Sequence, residues 1–226
     1  MYRTIPDNMQ TEEQEMKKLI DTTAFKEIEA RLSDQPELAN QGIRYDDQNT
    51  TKAHPLHRIC DGVFSGIYTE EAAIAMAKIF LKYGANINGG ELKEKEDSPL
   101  TAASSLHADE LAIFYMNEGA DIHHVGCHGG TALHWACWCG RSKVVEQLLK
   151  RDAAIDQRCL DFKASPLFWA IHGLKNGGYQ RMDDCLECVK LLLQSGANKS
   201  IPNIDGHSVC DLLSDEDVAL KELLGT

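Results

Sequence analysis

The stretch GGTALHWACWCGRSKVVEQLL, from Gly129 to Leu149, decides how this chain folds. Small and apolar residues follow Thr131, and the VVEQLL segment then places apolar residues at helical spacing. The stretch also contains side chains that bind metals or act as nucleophiles and bases, namely His134, Cys137 and Cys139, and among them lie Trp135 and Trp138. It is therefore a metal site, a thiol nucleophile with its base, or an ordinary pair of packed helices.

The second half of this stretch recurs along the chain. Related segments are MAKIFLKYGAN from Met76, LAIFYMNEGAD from Leu111, VVEQLLKRDAA from Val144 and CVKLLLQSGAN from Cys188. Their first residues lie 35, 33 and 44 positions apart, and apolar residues recur in each at helical spacing. Gly84, Gly119 and Gly196 close three of the segments, as glycine does where a helix ends in a left-handed turn. Each segment predicts a helix followed by a tight turn.

A shorter element precedes each of these helices. Its copies are HPLHRIC from His54, SPLTAAS from Ser98, TALHWAC from Thr131 and SPLFWAI from Ser165. A hydroxyl residue before Pro-Leu starts a helix well, because the oxygen caps free N–H groups and proline has no N–H to leave unpaired. The repeating unit is therefore a turn, a short helix, a longer helix and a loop.

These paired elements resemble the ankyrin repeat, whose unit has about 33 residues and a T-P-L-H-x-A signature. TALHWA, from Thr131 to Ala136, is the most similar copy, and the resemblance covers residues 50 to 213. It implies an all-α fold, an ankyrin-repeat solenoid of stacked helix-turn-helix units with β-hairpin loops.

The resemblance also predicts how the domain is organised. We expect a flexible N-terminus at residues 1–10 and a single ankyrin-repeat domain at 11–226. Its first part, 11–50, keeps helical spacing without the signature and is interpreted as an N-terminal cap. Four repeats follow at 51–204, and the acidic segment 205–226 is interpreted as a C-terminal cap.

Composition narrows the classes of partner. The formal net charge of −12 repels phosphate groups, which argues against nucleic acid and anionic membranes as partners. We expect no secretory signal and no membrane span, since no apolar run is long enough. Eight cysteines lie mostly within helical patterns, which favours reduced thiols and a cytoplasmic location, in the producing cell or in a host cell that receives the protein. We expect a monomer.

The repeat register favours packing over chemistry for the central stretch. His134 and His57 occupy the signature position, where the family's imidazole hydrogen-bonds backbone of a neighbouring unit. Cys137 aligns with Cys60, Ser104 and Ile171, at a position that needs a small or apolar buried side chain. No known catalytic motif is present, and no paired Cys-x-x-Cys hooks frame a zinc loop, so we expect no enzyme activity, no cofactor and no bound metal.

The resemblance assigns partner contacts to the concave face, at the hairpin tips and on the short inner helices. We expect another protein or a peptide to be held there by these residues: Lys95, Asp97, Leu106, Cys127, His128, Trp138, Cys139, Phe162, Trp169, His172 and Tyr179. The alternative is a metal- or redox-responsive module built on the His/Cys hairpin around Cys127. A third possibility is that Asn88, which matches an asparagine that some family members offer for hydroxylation, makes the chain an enzyme substrate.

Some features depart from the family pattern. Two repeats carry insertions of 9 and 10 residues between their helices, in DGVFSGIYT from Asp61 and HGLKNGGYQRMDD from His172. Inserted loops often serve recognition, which makes Phe64, Tyr68 and Tyr179 candidates for contacts. Finally, His107 and Asp152 stand where the family has glycine.

Overall fold

The computed structural model of the protein describes residues 7–45, 51–90, 96–176 and 182–225. Its α-helices are α1 Asp7–Asp21, α2 Phe25–Asp34, α3 Pro55–Phe64, α4 Glu70–Lys82, α5 Pro99–Ser105, α6 Asp109–Asn117, α7 Ala132–Trp138, α8 Ser142–Leu149, α9 Pro166–Asn176, α10 Met182–Gln194 and α11 Val218–Leu224. Strands β1 (Ile43–Arg44) and β2 (Lys52–Ala53) form an antiparallel pair. The expected all-α solenoid is confirmed. Helix α1 begins ahead of residue 11, where the capping unit was expected to start.

The first helix of each repeat starts as the sequence predicts. Proline is the first residue of α3, α5 and α9, at Pro55, Pro99 and Pro166. Ser98 Oγ accepts from the Thr101 N–H at 3.2 Å, and Ser165 Oγ accepts from the Phe168 N–H at 3.3 Å. In the first repeat the cap is an imidazole, because His54 Nδ1 accepts from the Leu56 N–H at 3.2 Å. Caps of this kind satisfy N–H groups that the helix itself leaves unpaired.

The helices form two parallel rows. First helices touch in the order α3, α5, α7 and α9, and second helices in the order α2, α4, α6, α8 and α10. Helix α11 contacts α10, and a short 3₁₀ turn at Val209–Leu212 contacts α9, so the C-terminal segment closes both rows. We call the side that carries the hairpin loops and the first helices the hairpin face.

Small or apolar buried side chains occupy equivalent positions in the row of first helices. Cys60, Cys137 and Ile171 are fully buried and occupy equivalent positions, together with Ser104. Ser104 satisfies its hydroxyl by donating to the Leu100 carbonyl oxygen at 2.8 Å. Cysteine therefore acts as a packing residue in this row, as predicted.

The turns keep family geometry where glycine is missing. Gly84, Gly119 and Gly196 have φ values of 87°, 87° and 90° after the second helices. Asp152 takes the same left-handed region with φ 60°, and His107 does so with φ 61°. His107 and Asp152 therefore keep the geometry of their turns, at the expense of strain in the backbone, because side-chain-bearing residues disfavour this region.

Both insertions lengthen a first helix. Helices α3 and α9 have 10 and 11 residues, whereas α5 and α7 have 7 each. The loop after α3 folds back, because Tyr68 Oη donates to the Ile59 carbonyl oxygen at 3.1 Å. Tyr68 is therefore a structural residue, while Phe64 is 59% exposed. Tyr179 lies outside the described residues.

Within the described ranges no helix has the length and apolarity to cross a membrane.

Candidate partner-binding site

Trp169 on α9 is the centre of an aromatic cluster on the hairpin face. The centroid of its ring lies 5.2 Å from that of Trp135 and 6.0 Å from that of Trp138, with interplanar angles of 80° and 73°. Phe162 adds a third edge-to-face contact at 6.3 Å. Edge-to-face contacts of this kind are favourable because the positive ring edge meets the negative ring face. Trp169 is only 5% exposed, so it forms the floor of the cluster.

A second group of rings is stacked in parallel. Trp138 on α7 stacks on His172 of α9, with centroids 5.2 Å apart and planes 26° apart. Phe168 also lies nearly parallel to His172, with centroids 6.3 Å apart. Burial lowers the pKa of His172, which keeps the imidazole neutral at neutral pH. The stack is therefore uncharged.

The hairpins that border the cluster are joined to one another. The Asp161 N–H donates to the His128 carbonyl oxygen at 3.2 Å, and the Ile204 N–H donates to the Phe162 carbonyl oxygen at 2.8 Å. His128 Nδ1 also lies 3.2 Å from a carboxylate oxygen of Asp161. Three successive hairpin tips therefore form one continuous edge.

Gly129 allows this close approach of the tips. Its φ is 67°, and a Cβ at this position would lie 2.4 Å from the backbone nitrogen of Leu160. Any other residue would push the two hairpins apart.

Together these elements enclose a groove of about 610 Å³. It is lined by His128, Trp135, Trp138, Phe162, Ala164, Phe168, Trp169, His172, Asn203, Ile204, Asp205, His207 and Leu212, and we call it the aromatic groove. Large apolar side chains stand exposed at the hairpin tips beside it: Leu160 at 44%, Phe162 at 46% and Ile204 at 61%. A groove of this size lined by aromatic rings is typical of a binding site for a peptide side chain or a small ligand.

Five of the predicted contact residues line this groove: His128, Trp138, Phe162, Trp169 and His172. Four others lie elsewhere in the described chain: Asp97, Leu106, Cys127 and Cys139. Lys95 and Tyr179 fall outside the described residues.

The side chains of two of those four residues, Asp97 and Cys139, make hydrogen bonds between repeats. Asp97 Oδ1 accepts from the Cys127 N–H at 2.9 Å, and Cys139 Sγ donates to the Ser105 carbonyl oxygen at 3.4 Å. Burial raises the pKa of the Cys139 thiol to about 11. Both side chains therefore hold neighbouring units together.

The last hairpin tip and the C-terminal cap contribute residues that the sequence analysis did not assign to the site. Asn203, Ile204, Asp205 and His207 line the groove from the last hairpin tip, and Leu212 lines it from the 3₁₀ turn. The signal was present in the repeat register, because NIDGHS begins at Asn203 with the spacing of a further hairpin tip.

His134 is held between two repeats. Its Nδ1 accepts from the Thr131 N–H at 3.1 Å, and its Nε2 donates to the carbonyl oxygen of Gln157 at 3.1 Å. A backbone N–H only donates, so Nδ1 has no proton and Nε2 carries it. This is the structural role that the signature position predicts.

The histidines around Cys127 have separate partners. His124 Nε2 lies 2.7 Å from the Glu96 carbonyl oxygen, and His128 pairs with Asp161 on the opposite hairpin. Across the part of the chain that the structure describes, no three His, Cys, Asp or Glu side chains are arranged to hold one metal ion. The hairpin therefore provides no support for the metal-responsive alternative.

Helix pairs in two rows, with hairpins linked along one edge, define a repeat solenoid. The family model described as ankyrin repeats (3 copies) matches residues 66–159 and 100–203. The chain belongs to the ankyrin-repeat family, whose repeats are generally protein–protein interaction modules. None of the curated proteins matches the sequence.

Proposed function

We propose that this protein is a non-catalytic scaffold that holds a protein or peptide partner in the aromatic groove on the hairpin face. The observation that carries the proposal is the groove itself, where three tryptophans and the exposed ring of Phe162 meet. Buried tryptophans and other aromatic anchors supply much of the binding energy of protein interfaces. Leu160 and Ile204 extend this apolar surface along the hairpin tips.

The chemistry of the histidines and thiols supports a binding role without catalysis. His134 uses both ring nitrogens in hydrogen bonds within the fold, so it is not placed to act as a general base. Burial raises the pKa of the thiols of Cys60 and Cys137 well above their usual range. A thiol with a raised pKa is a poor nucleophile, because the thiolate is the reactive form.

Photo-crosslinking tests the position of the partner with a matched control. Phe162 and Phe64 are both exposed phenylalanines, one beside the groove and one on the first insertion. Each is replaced in turn by the photoreactive benzoylphenylalanine, and crosslinked proteins are identified after irradiation in cells of the source organism. We expect a partner crosslinked at position 162, absent at position 64, and lost when Trp138→Ala is added.

Folding of each variant is checked by circular dichroism. A partner that crosslinks at position 64 but not at 162 would move recognition to the first insertion. A crosslink at 162 that survives Trp138→Ala would remove the groove from the interface.

A further inference from the structure

We infer that the aromatic groove receives an arginine side chain from a basic segment of the partner. This inference rests on the proposed function, since it names the chemistry of the partner that the same groove would hold. Three observations carry it: the orientation of the rings, the sign of the charge around them, and the absence of lysine or arginine among the described residues of the lining.

The rings offer stacking surfaces for a planar cation. Aromatic faces carry negative charge density, and a guanidinium stacks on them more readily than a strongly hydrated ammonium does. Trp138 and His172 lie nearly parallel, and Trp135 stands almost perpendicular to Trp169 beneath. The groove therefore has walls in two orientations. Among the described residues, lysines lie over aromatic rings in the row of second helices, Lys78 over Phe114 and Lys82 over Tyr83. These rings do not line the groove.

The lining of the groove carries a carboxylate and no lysine or arginine among its described residues. Asp205 is exposed at its edge and is the one carboxylate among the described lining residues. It begins the C-terminal cap, residues 205–226, which has six carboxylates and one lysine. Hydrogen bonds from Ser208 lower the pKa of Asp211, so this carboxylate is charged at neutral pH. The nearby basic residues Arg158, Lys163 and Lys175 do not line the groove. Arg158 donates to the Pro202 carbonyl oxygen, and Lys175 is paired with Asp217 and donates to the carbonyl oxygen of Leu212.

The geometry favours arginine over other occupants. An arginine in the groove would stack its plane on the tryptophans and direct its N–H groups toward the Asp205 carboxylate, which accepts two parallel hydrogen bonds from a guanidinium. A purely apolar side chain would use the rings and leave the carboxylate with no charged partner, only the Asn203 side-chain amide, whose nitrogen lies 3.3 Å from Asp205 Oδ2. The neutral state of His172 removes a charge that would otherwise repel a cation.

Titration with matched peptides tests the inference. The probes are acetyl-Gly-Leu-X-Leu-Gly-amide peptides in which X is arginine, citrulline, lysine or norleucine. Citrulline has the shape of arginine without its charge. Binding is followed by NMR on the indole N–H signals of the tryptophans, with peptide up to about 10 mM, which covers weak single-site affinities. We expect the arginine peptide to bind about tenfold more tightly than the citrulline peptide.

Two carboxylate variants provide the control for charge. Asp205→Asn removes the carboxylate at the groove, and Asp215→Asn removes a fully exposed one from the same cap. We expect Asp205→Asn to weaken the arginine peptide about fivefold and Asp215→Asn to change its affinity by less than about twofold. Trp138→Leu keeps apolar bulk, so it should weaken the arginine peptide and spare the norleucine peptide.

The results separate this inference from the proposed function. Equal affinity of the arginine and citrulline peptides, or tighter binding of norleucine, would overturn the arginine assignment and indicate an apolar anchor. Failure of every peptide to shift the indole signals would overturn it as well. In both cases a crosslink at position 162 that depends on Trp138 would leave the scaffold function standing.

Discussion

The imidazole of His134 bonds to the carbonyl oxygen of Gln157 in the following repeat, with Nε2 and O 3.1 Å apart. The side chain is fully buried, and its other nitrogen accepts from the backbone at Thr131. Burial lowers the pKa of His134 from 6.5 to about 4. The neutral imidazole of His134 thus joins two of the repeats that line the aromatic groove.

This bond predicts how stability depends on pH. Between pH 6.5 and pH 4 the unfolded chain binds a proton at His134 that the folded chain does not, so the free energy of unfolding falls as pH falls through this window. We expect His134 to account for a loss of about 2 kcal/mol between pH 7 and pH 5. Urea unfolding at pH 7 and at pH 5 measures this loss in the free energy of unfolding.

The control for this prediction is His134→Asn, which has no group that titrates in the window. Its stability should be lower at pH 7 but should fall less toward pH 5. Some dependence will remain, because burial also lowers the pKa of His54 to about 4. An unchanged pH dependence in the variant would mean that His134 is already neutral in the unfolded chain or charged in the folded one.

Gly173 sets the distance between α7 and α9 below the groove. A Cβ there would lie 2.4 Å from the carbonyl oxygen of Trp138, and backbone atoms cannot move aside as a flexible side chain can. We expect Gly173→Ala to lower the free energy of unfolding by about 2 kcal/mol or more. Thermal and urea unfolding should show the loss, whereas Asn176→Ala at an exposed position of α9 should cost less than about 1 kcal/mol. Similar losses in both variants would contradict this account of the helix contact.

Asp152 holds a left-handed turn that glycine makes at equivalent positions. Its φ is 60°, and Gly119 has φ 87° after α6. We expect Asp152→Gly to raise the free energy of unfolding by about 0.5 kcal/mol, because strain relief exceeds the added entropy of the unfolded chain. The reciprocal change, Gly119→Asp, should lower it by about 1 kcal/mol. A loss of stability on Asp152→Gly would show that the carboxylate makes a compensating contact.

The buried thiols should resist modification while the chain is folded. Cys60, Cys137 and Cys188 are fully buried, and burial raises the pKa of each. Because the thiolate is the reactive species, we expect iodoacetamide to label these three at least about a hundredfold more slowly in buffer than in urea. Mass spectrometry of peptides after timed labelling gives the rates. Rapid labelling of Cys137 in buffer would show that α7 opens to solvent while the chain is folded, which would contradict this account of the buried thiols.

Local rules accounted for much of the fold. Adjacent residues in the sequence predict hydroxyl caps at Ser98 and Ser165 and a turn at Gly119. All three features occur in the structure. Such features depend on a few consecutive residues, because the type of each residue fixes its preference for a cap or a left-handed turn. The insertions were expected to form loops between the two helices of a repeat, yet the structure uses part of each to extend α3 and α9. Local pattern alone did not show where these two helices end.

The candidate binding site was less predictable than the fold. Trp138 and Phe162 were expected at the surface of adjacent repeats, and both line the groove. Asp97 and Cys139 were expected beside them, but each makes a hydrogen bond between repeats. Asp205 was assigned to the C-terminal cap and was not among the predicted contacts, although it lies at the edge of the groove. A repeat alignment shows which positions are equivalent and leaves open which of them turn inward.

By itself, the sequence determined that this chain is a stack of ankyrin repeats, because the period, the helix starts and the turns are local features that recur. Only the tertiary structure decided that Trp135, Trp138 and Trp169 meet, that His172 stacks beside them, and that the last hairpin completes the groove. These contacts join side chains from adjacent repeats. They depend on how closely the small buried residues let adjacent helices approach, and on the hydrogen bonds that align the hairpin tips.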